Sequence, residues 1–379
     1  MPPVVIDIRS ADDIRDVVHR AVQALVEGKL VGLPTETVYG LAASALCPAA
    51  VDRLAEVKGR RPGQPFTLGI KSAEEAIDYA PNMSPLALRL ARRCWPGPIT
   101  LVVDGAQEES LVRQLAPNVQ EMVAPQGTVG LRVPAHDVVL DILRMIAGPI
   151  VLTSANRTGN TEAVTAAEVV AAMGDDVQLV LDDGPSRYGQ PSSVVLVTDG
   201  VCKMLREGVV ADKSLRRLAS YMILFVCTGN TCRSPMAEAI CRHLLAERVG
   251  CAPAELEEHG IVVASAGIAA MPGGLPSPEG VTVLGQWGIG LEDHSSQPLT
   301  EQLVRHADQI LVMTMSHRKA IVDRWPETAA RVELICEDQR DVSDPIGGPL
   351  EVYRQCAEQL KAELKRRVDA MDFPPLTKK

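Results

Sequence analysis

The sequence predicts an α/β protein with two domains, and three observations lead to this fold class. The 379 residues exceed one ordinary hydrophobic core and suit two domains of about 150 to 210 residues. Apolar residues recur at helical spacing from Ile14 to Leu25, Gly28 supplies a helix stop, and Lys29 to Leu33 is extended. The apolar run 222–226 is typical of a buried parallel strand and precedes a loop and a helix start. Strand and helix patterns therefore occur in both halves of the chain.

The composition is that of a globular protein in a reducing compartment. No apolar run reaches the ~20 residues needed to span a bilayer, and the N-terminus lacks a basic region followed by an apolar core. Nine cysteines, an odd number without a Cys-x-x-Cys pair, argue against a disulfide framework and against a structural zinc site. The formal charge of −10 disfavours stable nucleic-acid binding, although local basic clusters can hold a nucleotide. We therefore expect a cytoplasmic protein without a metal site.

A loop that opens on Cys227 and closes on Arg233 carries the clearest chemical signal. Ser234 as N-cap and Pro235 at the first helical position mark the start of the helix that follows. The unpaired N–H groups and the positive dipole end of a helix N-terminus bind an oxyanion and favour the thiolate form of a cysteine. Arg233 can then hold two phosphate oxygens. This order predicts a thiol phosphatase, and its context outweighs the alternative of a buried structural thiol.

The spacing of cysteine, five residues and arginine is weak evidence alone, because Cys47 and Arg53 share it. The segment around Cys47 has no predicted buried strand before it, no glycine, and a proline that removes one N–H donor. We interpret this match as accidental. The loop after Cys227 instead contains Gly229 and Asn230, which tolerate left-handed backbone and let successive N–H groups turn toward one point.

The segment from about 222 to 366 resembles the low-molecular-weight protein tyrosine phosphatases. Their signature loop matches Cys-Thr-Gly-Asn-Thr-Cys-Arg-Ser, and their Asp-Pro signature matches Asp344-Pro345-Ile346-Gly347-Gly348, with Ile346 where Phe or Tyr is usual. The resemblance implies a Rossmann-like parallel sheet and no cofactor. It implies that Cys227 takes the phosphoryl group, that Ser234 holds the thiolate, and that Asp344 protonates the leaving group and then activates water. The implied phosphate-loop and specificity residues are Thr228, Gly229, Asn230, Thr231 and Cys232.

Two residues of this loop lead to further hypotheses. Thr231 resembles the bacterial protein arginine phosphatases, whereas tyrosine-specific eukaryotic members usually have Ile there, and a hydroxyl can satisfy a guanidinium donor. We therefore hypothesise phosphoarginine hydrolysis, with phosphotyrosine hydrolysis as the alternative. Cys232 either forms a reversible disulfide that shields Cys227 from over-oxidation or merely fills the loop. Three further segments are similar to the bacterial branch: Ser265-Ala266-Gly267, Ser296-Gln297-Pro298-Leu299-Thr300 and Met313-Thr314.

The first two hundred residues contain a cluster of positive charges before two prolines. The run reads Lys58-Gly59-Arg60-Arg61-Pro62-Gly63-Gln64-Pro65, and a predicted helix precedes it. Three cations on a proline-stiffened loop can neutralise a triphosphate, although such a run is more often a solvated turn. The run is therefore informative only together with other segments.

Seven segments of this half carry a family resemblance. In chain order they are Pro34-Thr35-Glu36-Thr37, Lys58-Gly59-Arg60, Trp95-Pro96-Gly97-Pro98-Ile99-Thr100, Leu131-Arg132-Val133-Pro134, Thr153-Ser154-Ala155-Asn156, Pro191-Ser192-Ser193-Val194-Val195 and Leu205-Arg206-Glu207-Gly208. Together they resemble the threonylcarbamoyl-AMP synthase family, also called YrdC or Sua5, from about residue 5 to 210. Arg61, Glu162 and Leu196 differ from the residues usual in the family. The resemblance implies a twisted α/β sheet with a basic concave face.

The resemblance also implies a reaction and its site. L-Threonine, bicarbonate and ATP would be joined into L-threonylcarbamoyladenylate and pyrophosphate, for threonylcarbamoyladenosine formation in tRNA. Mg²⁺ would accompany the triphosphate, coordinated largely by phosphate oxygens and water. The implied ATP-binding residues are Lys58, Arg60, Thr128, Ser154, Asn156 and Arg206, and the implied threonine-binding residues are Thr35, Arg132 and Ser192.

The expected organisation is a synthase domain (1–210), a short polar and basic linker (211–220), a phosphatase domain (221–370) and a frayed tail (371–379). In one account both domains are enzymes, with phosphorylated proteins as substrates and tRNA-modification proteins as candidate partners. In the other, a degenerate nucleotide- or RNA-binding module is joined to a phosphotyrosine phosphatase. The residues at 61 and 196 are the only sequence hints for the second account.

Overall fold

The computed structural model describes residues 2–60, 63–198 and 200–371. The chain divides into two compact units, Met1–Leu218 and Ala219–Lys379. Arg61 and residues 372–379 of the expected tail lie outside the described residues. No helix in the described part of the chain is long and apolar enough to cross a membrane.

The first unit is built on one mixed sheet of ten strands in its described residues, in the order β1-β8-β2-β3-β7-β4-β6-β5-β9-β10. The strands are β1 (Val4–Asp7), β2 (Val31–Leu33), β3 (Gly40–Ser44), β4 (Thr67–Gly69), β5 (Ile99–Asp104), β6 (Thr128–Arg132), β7 (Ile150–Ser154), β8 (Leu179–Asp182), β9 (Ser193–Thr198) and β10 (Val201–Arg206). The helices are α1 (Ile14–Val26), α2 (Pro48–Lys58), α3 (Ala76–Tyr79), α4 (Pro85–Cys94), α5 (Pro117–Val123), α6 (Asp137–Met145), α7 (Ala166–Met173) and α8 (Asp212–Ala219).

The helix expected from residue 14 is confirmed as α1. Asp13 caps it by accepting from Arg15 N at 2.8 Å, and Gly28 after it has a left-handed φ of 77°. The apolar stripe of α1 packs with α6 and the sheet into one core, which includes Val17, Val18, Ala21, Leu25, Val139 and Ile142. The α/β class predicted for this half is therefore correct.

The second unit is built on a parallel sheet in the order β12-β11-β13-β14. Its strands are β11 (Tyr221–Cys227), β12 (Ile261–Gly267), β13 (Gln309–Val312) and β14 (Val332–Leu334). Its helices are α9 (Arg233–Val249), α10 (Pro278–Gly285), α11 (Glu301–His306), α12 (Met315–Arg324) and α13 (Leu350–Ala370). The predicted parallel sheet is therefore confirmed.

Strand β11 is the central strand whose apolar run was visible in the sequence. Ile223 and Phe225 pack into a core with residues of α9 and α13. Leu224 and Val226 pack into a second core with residues of α11 and α12. Because both faces of β11 are buried, its side chains are continuously apolar rather than alternating.

The start of α9 differs from the sequence prediction. Met236 N donates to Cys232 O at 3.2 Å, so Cys232 is the N-cap, and the helix begins at Arg233 rather than at Pro235. The prediction that Ser234 caps the helix is wrong, because its hydroxyl instead contacts the sulfur of Cys227. Pro235 lies in the first helical turn, where backbone N–H groups have no helical acceptor and a missing one costs little.

One further segment differs from its sequence interpretation. The buried strand β3 lies shortly before Cys47, so the statement that no such strand precedes this cysteine is wrong. Its sequence Gly-Leu-Ala-Ala-Ser lacks β-branched residues, which hid the strand. Cys47 is the N-cap of α2, and Arg53 Nη2 donates to Asp176 O at 3.5 Å, so the two do not enclose a loop like that at Cys227. The segment expected as a linker contains the helix α8.

Candidate active sites

The loop between β11 and α9 surrounds a buried cysteine sulfur with hydrogen-bond donors. Cys227, the last residue of β11, is 3% exposed. Asn230 N donates to its Sγ at 3.2 Å, and Ser234 Oγ lies 3.0 Å from the same sulfur. Ser234 Oγ accepts from Asn230 Nδ2 at 3.0 Å, and its one proton can be donated to Sγ or to Ala266 O, which lies at 3.4 Å. The sulfur therefore has polar partners on two sides.

Asn230 is the residue on which the loop turns. It is fully buried and adopts a left-handed φ of 55°. Its Nδ2 also donates to Ser265 Oγ at 2.9 Å, and its Oδ1 accepts from Gln297 N at 2.9 Å. Its carbonyl lies 2.9 Å from His294 Nε2, which must be the donor. Every polar group of this side chain is paired, so the strained turn is held rigidly.

Several backbone N–H groups of the loop are left for a ligand. Within the described residues, the N–H groups of Thr228, Gly229, Thr231, Cys232 and Arg233 have no acceptor. The backbone of Gly229 is not left-handed, so the turn depends on Asn230 and not on both residues. Clustered free N–H groups at a helix N-terminus are a site for phosphate oxygens.

Arg233 and Asp344 meet at this loop although 111 positions separate them in the chain. The guanidinium of Arg233 is buried, its Nη1 donates to Val342 O at 3.3 Å, and its Nη2 forms an ion pair with Asp344. The carboxylate of Asp344 is 44% exposed, and Ile346 N donates to its Oδ1 at 3.2 Å. The structure therefore places the predicted nucleophile, phosphate ligand and general acid together.

His317 is a site residue that sequence reasoning missed. Its Nε2 lies 2.9 Å from Thr228 Oγ1, and its Nδ1 lies 2.9 Å from Thr314 Oγ1, which caps α12. Burial, and then the charge of Arg233, lowers the pKa of His317, which favours the neutral ring. The nearest sequence signal was the segment Met313-Thr314, whose similarity to the bacterial arginine phosphatases was noted without a role for any residue. Ser265 and Gln297 also lie in segments noted only for that similarity.

Cys232 is buried and lies close to the predicted substrate pocket. Its Sγ lies 3.5 Å from Tyr353 OH and 3.6 Å from Thr231 Oγ1. Burial, followed by the hydrogen bond to this thiol, raises the pKa of Tyr353 to about 12. All nine cysteines are free thiols in the structure.

In the first unit, Lys58 is tied to the loop after β7. It is 4% exposed, and its Nζ donates to Ser154 O at 2.8 Å, to Asn156 Oδ1 at 3.0 Å and to Asn156 O. Burial, followed by the charge of Arg60, lowers the pKa of Lys58 to about 8, against an opposing effect of Glu162. All three donors of the ammonium group are used within the protein, so Lys58 positions Ser154 and Asn156 in this structure.

Arg60 offers an unused donor next to Lys58. Its guanidinium lies 4.6 Å from the ring centroid of Phe66, and its Nη2 donates to Pro65 O at 3.3 Å. Its Nε is buried and has no hydrogen-bond partner among the described residues. Burial, followed by the charge of Arg206, lowers the pKa of Arg60. An unpaired buried guanidinium N–H next to further cations is suited to a phosphate oxygen.

Arg206 links these residues to the predicted threonine site. Its Nη2 donates to Ser192 O at 2.8 Å, and Ser192 Oγ lies 3.1 Å from Thr100 Oγ1. Burial lowers the pKa of Arg206, the half-buried Glu162 raises it, and the charge of Arg132 lowers it further. Cationic side chains close enough to perturb one another therefore extend from Lys58 to Arg132.

Two of the residues predicted to bind threonine, Thr35 and Arg132, meet at the loop between β2 and β3. Thr35 Oγ1 donates to Val38 O at 2.6 Å and lies 2.8 Å from Thr37 Oγ1. Arg132 Nη2 donates to Glu36 Oε1 and to Thr37 Oγ1, each at 2.8 Å. Glu36 was not among the predicted ligands, although it belongs to the Pro-Thr-Glu-Thr landmark that pointed to this loop. A cavity of about 330 Å³ adjoins Thr35 and Glu36.

Thr128, which is predicted to bind ATP, forms no hydrogen bond in the described residues with the other residues predicted for the ATP site. It is the first residue of β6 and is half-buried. No group of three His, Cys, Asp or Glu side chains that could hold a metal ion occurs in the described ranges.

Comparisons with known proteins match each unit to a different family. The family model described as telomere recombination (Sua5/YciO/YrdC) matches residues 23–208, and the model described as low molecular weight phosphotyrosine protein phosphatase matches residues 222–372. A Mycobacterium tuberculosis homologue of threonylcarbamoyl-AMP synthase is 35% identical over 52% of this chain and 85% of that protein. The protein-arginine-phosphatase of Bacillus subtilis is 38% identical over 38% of this chain and 92% of that protein. The chain belongs to both families.

The synthase-family unit also matches a longer relative. Threonylcarbamoyl-AMP synthase of Pyrococcus abyssi is 36% identical, and the match covers 48% of this chain and 51% of that protein, so the chain spans about half of the relative's length. A crystal structure of P. abyssi Sua5 complexed with L-threonine aligns with 69% of this chain and 92% of that chain, at 24% identity and a TM-score of 0.52. At this identity the likeness concerns the fold alone.

Proposed function

We propose that the phosphatase-family unit hydrolyses phosphoarginine in proteins. The observation that carries the proposal is the sulfur of Cys227, which accepts from Asn230 N and lies 3.0 Å from Ser234 Oγ in a loop with several free backbone N–H groups. The hydroxyl of Thr231 and the 38% identity to a protein-arginine-phosphatase support phosphoarginine as the substrate. Phosphotyrosine is the alternative, and the exposed aliphatic Ile346 in place of an aromatic wall argues against it.

The proposed reaction has two displacements at phosphorus. The thiolate of Cys227 attacks the phosphoryl group, a P–S bond forms, and the P–N bond breaks while Asp344 protonates the leaving guanidine nitrogen. The free N–H groups and Arg233 stabilise the oxygens that carry the developing charge. In the second displacement, a water molecule attacks phosphorus while Asp344, now a carboxylate, takes a proton from that water. The P–S bond breaks, and Cys227 leaves as a thiolate. The products are phosphate and an unmodified arginine.

We propose that the synthase-family unit forms L-threonylcarbamoyladenylate from L-threonine, bicarbonate and ATP. The carbamate of threonine would attack the α-phosphorus and pyrophosphate would leave, so the protein must position and neutralise anions. The free Nε of Arg60 and the charges of Lys58 and Arg206 support a triphosphate site. The guanidinium of Arg132, which donates to Thr37 Oγ1, the neighbour of Thr35 Oγ1, supports a threonine carboxylate site.

Mg²⁺ would accompany the nucleotide in this proposal. Because no three-ligand protein cluster exists in the described residues, the ion would take its ligands mostly from phosphate oxygens and water. We place the protein in the cytoplasm, where nine free cysteines, including the nucleophile, stay reduced. Proteins of tRNA modification would be partners of the synthase-family unit.

The first experiment compares phosphate release from a phosphoarginine-bearing protein and from a phosphotyrosine peptide, with Cys227→Ser as the blank. Faster Cys227-dependent release from phosphoarginine is expected, and faster release from phosphotyrosine would overturn the substrate assignment. A second assay measures pyrophosphate release that needs both ATP and threonine and is lost in Lys58→Ala. If the protein binds ATP but releases no pyrophosphate, the synthase-family unit is a binding module instead.

A further inference from the structure

The large hydrophobic side chains that are exposed in the described residues of the second unit, 219–371, lie on segments next to the phosphate loop. Met271 is 80% exposed, Leu275 76% and Ile346 69%. We call this set the apolar rim, and its members are Ile268, Met271, Leu275, Met315 and Ile346. Exposed apolar side chains are common on any surface, but their restriction to one site is informative.

The segment 268–277 is hydrogen-bonded to the phosphate loop along its length. Ile268 N donates to Cys227 O at 3.0 Å, and Ala269 N donates to Thr228 O at 3.0 Å. At the far end of the segment, the N–H of residue 277 donates to Thr231 O at 2.9 Å. Met271 and Leu275 lie between these anchors, so their positions are tied to the loop that holds the nucleophile.

The other two members of the rim are tied to the remaining site residues. Ile346 N donates to Asp344 Oδ1, the carboxylate of the proposed general acid. Met315 is the first residue of α12, the helix that carries His317 to Thr228. The apolar rim therefore borders the site on three separate segments.

The segment that carries Met271 and Leu275 is held in place and carries no charge. Ser296 is 3% exposed; its Oγ accepts from Gly274 N at 2.9 Å and donates to Met271 O at 2.6 Å. Ser296 N also donates to Gly274 O at 2.8 Å. No charged residue occurs from 266 to 278. The two apolar side chains are therefore presented on fixed backbone and have no charged neighbours in sequence.

We propose that the apolar rim binds apolar side chains that flank the phosphorylated residue in an extended segment of a protein substrate. The inference rests on the proposed phosphatase function and specifies its substrate class. A phosphorylated residue that reaches Cys227 brings its neighbours in the substrate chain past the rim. When these neighbours are apolar, contact with the rim removes both surfaces from water and stabilises the complex. Charged neighbours would instead lose hydration against the segment 266–278, which has no charged residue to pair with them. Substrates are thus expected among segments that a folded protein would normally bury.

The test compares two phosphoarginine peptides of equal length, one with leucine and valine at the flanking positions and one with serine and glutamate. The wild-type full chain should have a kcat/KM at least about tenfold higher for the apolar peptide, the ratio that about 1.4 kcal/mol supplies. The double variant Met271→Ser/Leu275→Ser should reduce this preference to near unity, mainly through KM. Met145→Ser, which removes a half-exposed methionine from the first unit, should retain it.

Hydrolysis of p-nitrophenyl phosphate, which has no flanking residues, separates this proposal from the proposed function. The rim variants should hydrolyse it at the wild-type rate, which also shows that they fold. An equal kcat/KM for the two peptides in the wild type, or an unchanged preference in the double variant, would overturn the rim proposal alone. If no phosphoarginine peptide is hydrolysed while p-nitrophenyl phosphate is, the substrate assigned under the proposed function fails instead.

Discussion

Arg132 and Glu36 form a buried ion pair, with Arg132 Nη2 2.8 Å from Glu36 Oε1 and both side chains less than a tenth exposed. The other oxygen of Glu36 accepts from Ala135 N at 3.0 Å, and the guanidinium also donates to Thr37. The arginine expected to bind the threonine carboxylate is therefore held in position by a carboxylate of the protein. Glu36 orients the guanidinium, while its charge keeps the site from being strongly cationic.

Replacing Glu36 by Ala should destabilise the protein and weaken threonine use. Removing one partner of a buried ion pair typically costs about 3–5 kcal/mol, because the other charge stays buried and unpaired. The free energy of unfolding by urea and the KM for threonine measure the two effects. Glu27→Ala, which breaks the exposed pair with Lys29, is the control and should leave both nearly unchanged. Equal stability of the two variants would contradict the structural role of Glu36.

The affinity for ATP should fall as the pH rises through about 8. Burial and the charge of Arg60 lower the pKa of Lys58 to about 8, so the ammonium group loses its proton, and its attraction for phosphate, above that pH. The dissociation constant of ATP should be level below this pH and increase above it. In Lys58→Met, ATP should bind more weakly at neutral pH, and the increase should disappear. A wild-type dissociation constant that stays level between about pH 7 and pH 10 would show that this charge does not act on ATP.

Thr231→Ile should lower phosphoarginine turnover relative to phosphotyrosine turnover. Loss of the hydroxyl leaves a guanidinium donor without an acceptor, which costs about 1–3 kcal/mol, roughly 5- to 150-fold in kcat/KM. The ratio of the two kcat/KM values measures the effect. Thr282→Ile, at an exposed position on α10, is the matched control and should not change the ratio. An unchanged ratio in Thr231→Ile would make this threonine a bystander.

Cys232 should protect the nucleophile during oxidation. Hydrogen peroxide converts the Cys227 thiolate to a sulfenic acid, and the Cys232 thiol can displace water from it to form a disulfide that dithiothreitol reduces. Wild-type phosphatase activity should therefore return after peroxide treatment and reduction. Cys232→Ser should recover little, whereas Cys251→Ser should recover like the wild type. Full recovery in Cys232→Ser would favour the interpretation of this cysteine as a loop filler.

Local patterns in the sequence predicted the α/β class and the signature loop, and the resemblance to two families implied the two folds. The helix α1, the strand β11 and the loop from Cys227 to Arg233 are each visible within about fifteen residues, because hydrophobic periodicity and backbone tolerance act over that range. The same reasoning missed β3, whose glycine and alanines lack strand preference. It also assigned Ser234 as a helix cap, since a serine hydroxyl that caps a helix and one that holds a sulfur look alike in sequence.

The sequence by itself determined which chemistry this protein carries: a cysteine and an arginine around a phosphate loop in one half, and cations with a Pro-Thr-Glu-Thr loop in the other. Only the tertiary structure decided the pairs that complete each site. Asp344 meets Arg233 across 111 positions, Glu36 meets Arg132 across 96, and Lys58 meets Asn156 across 98. Such contacts depend on which strand ends and loops the packed sheet brings together, and a sequence pattern that spans a few turns holds no record of them.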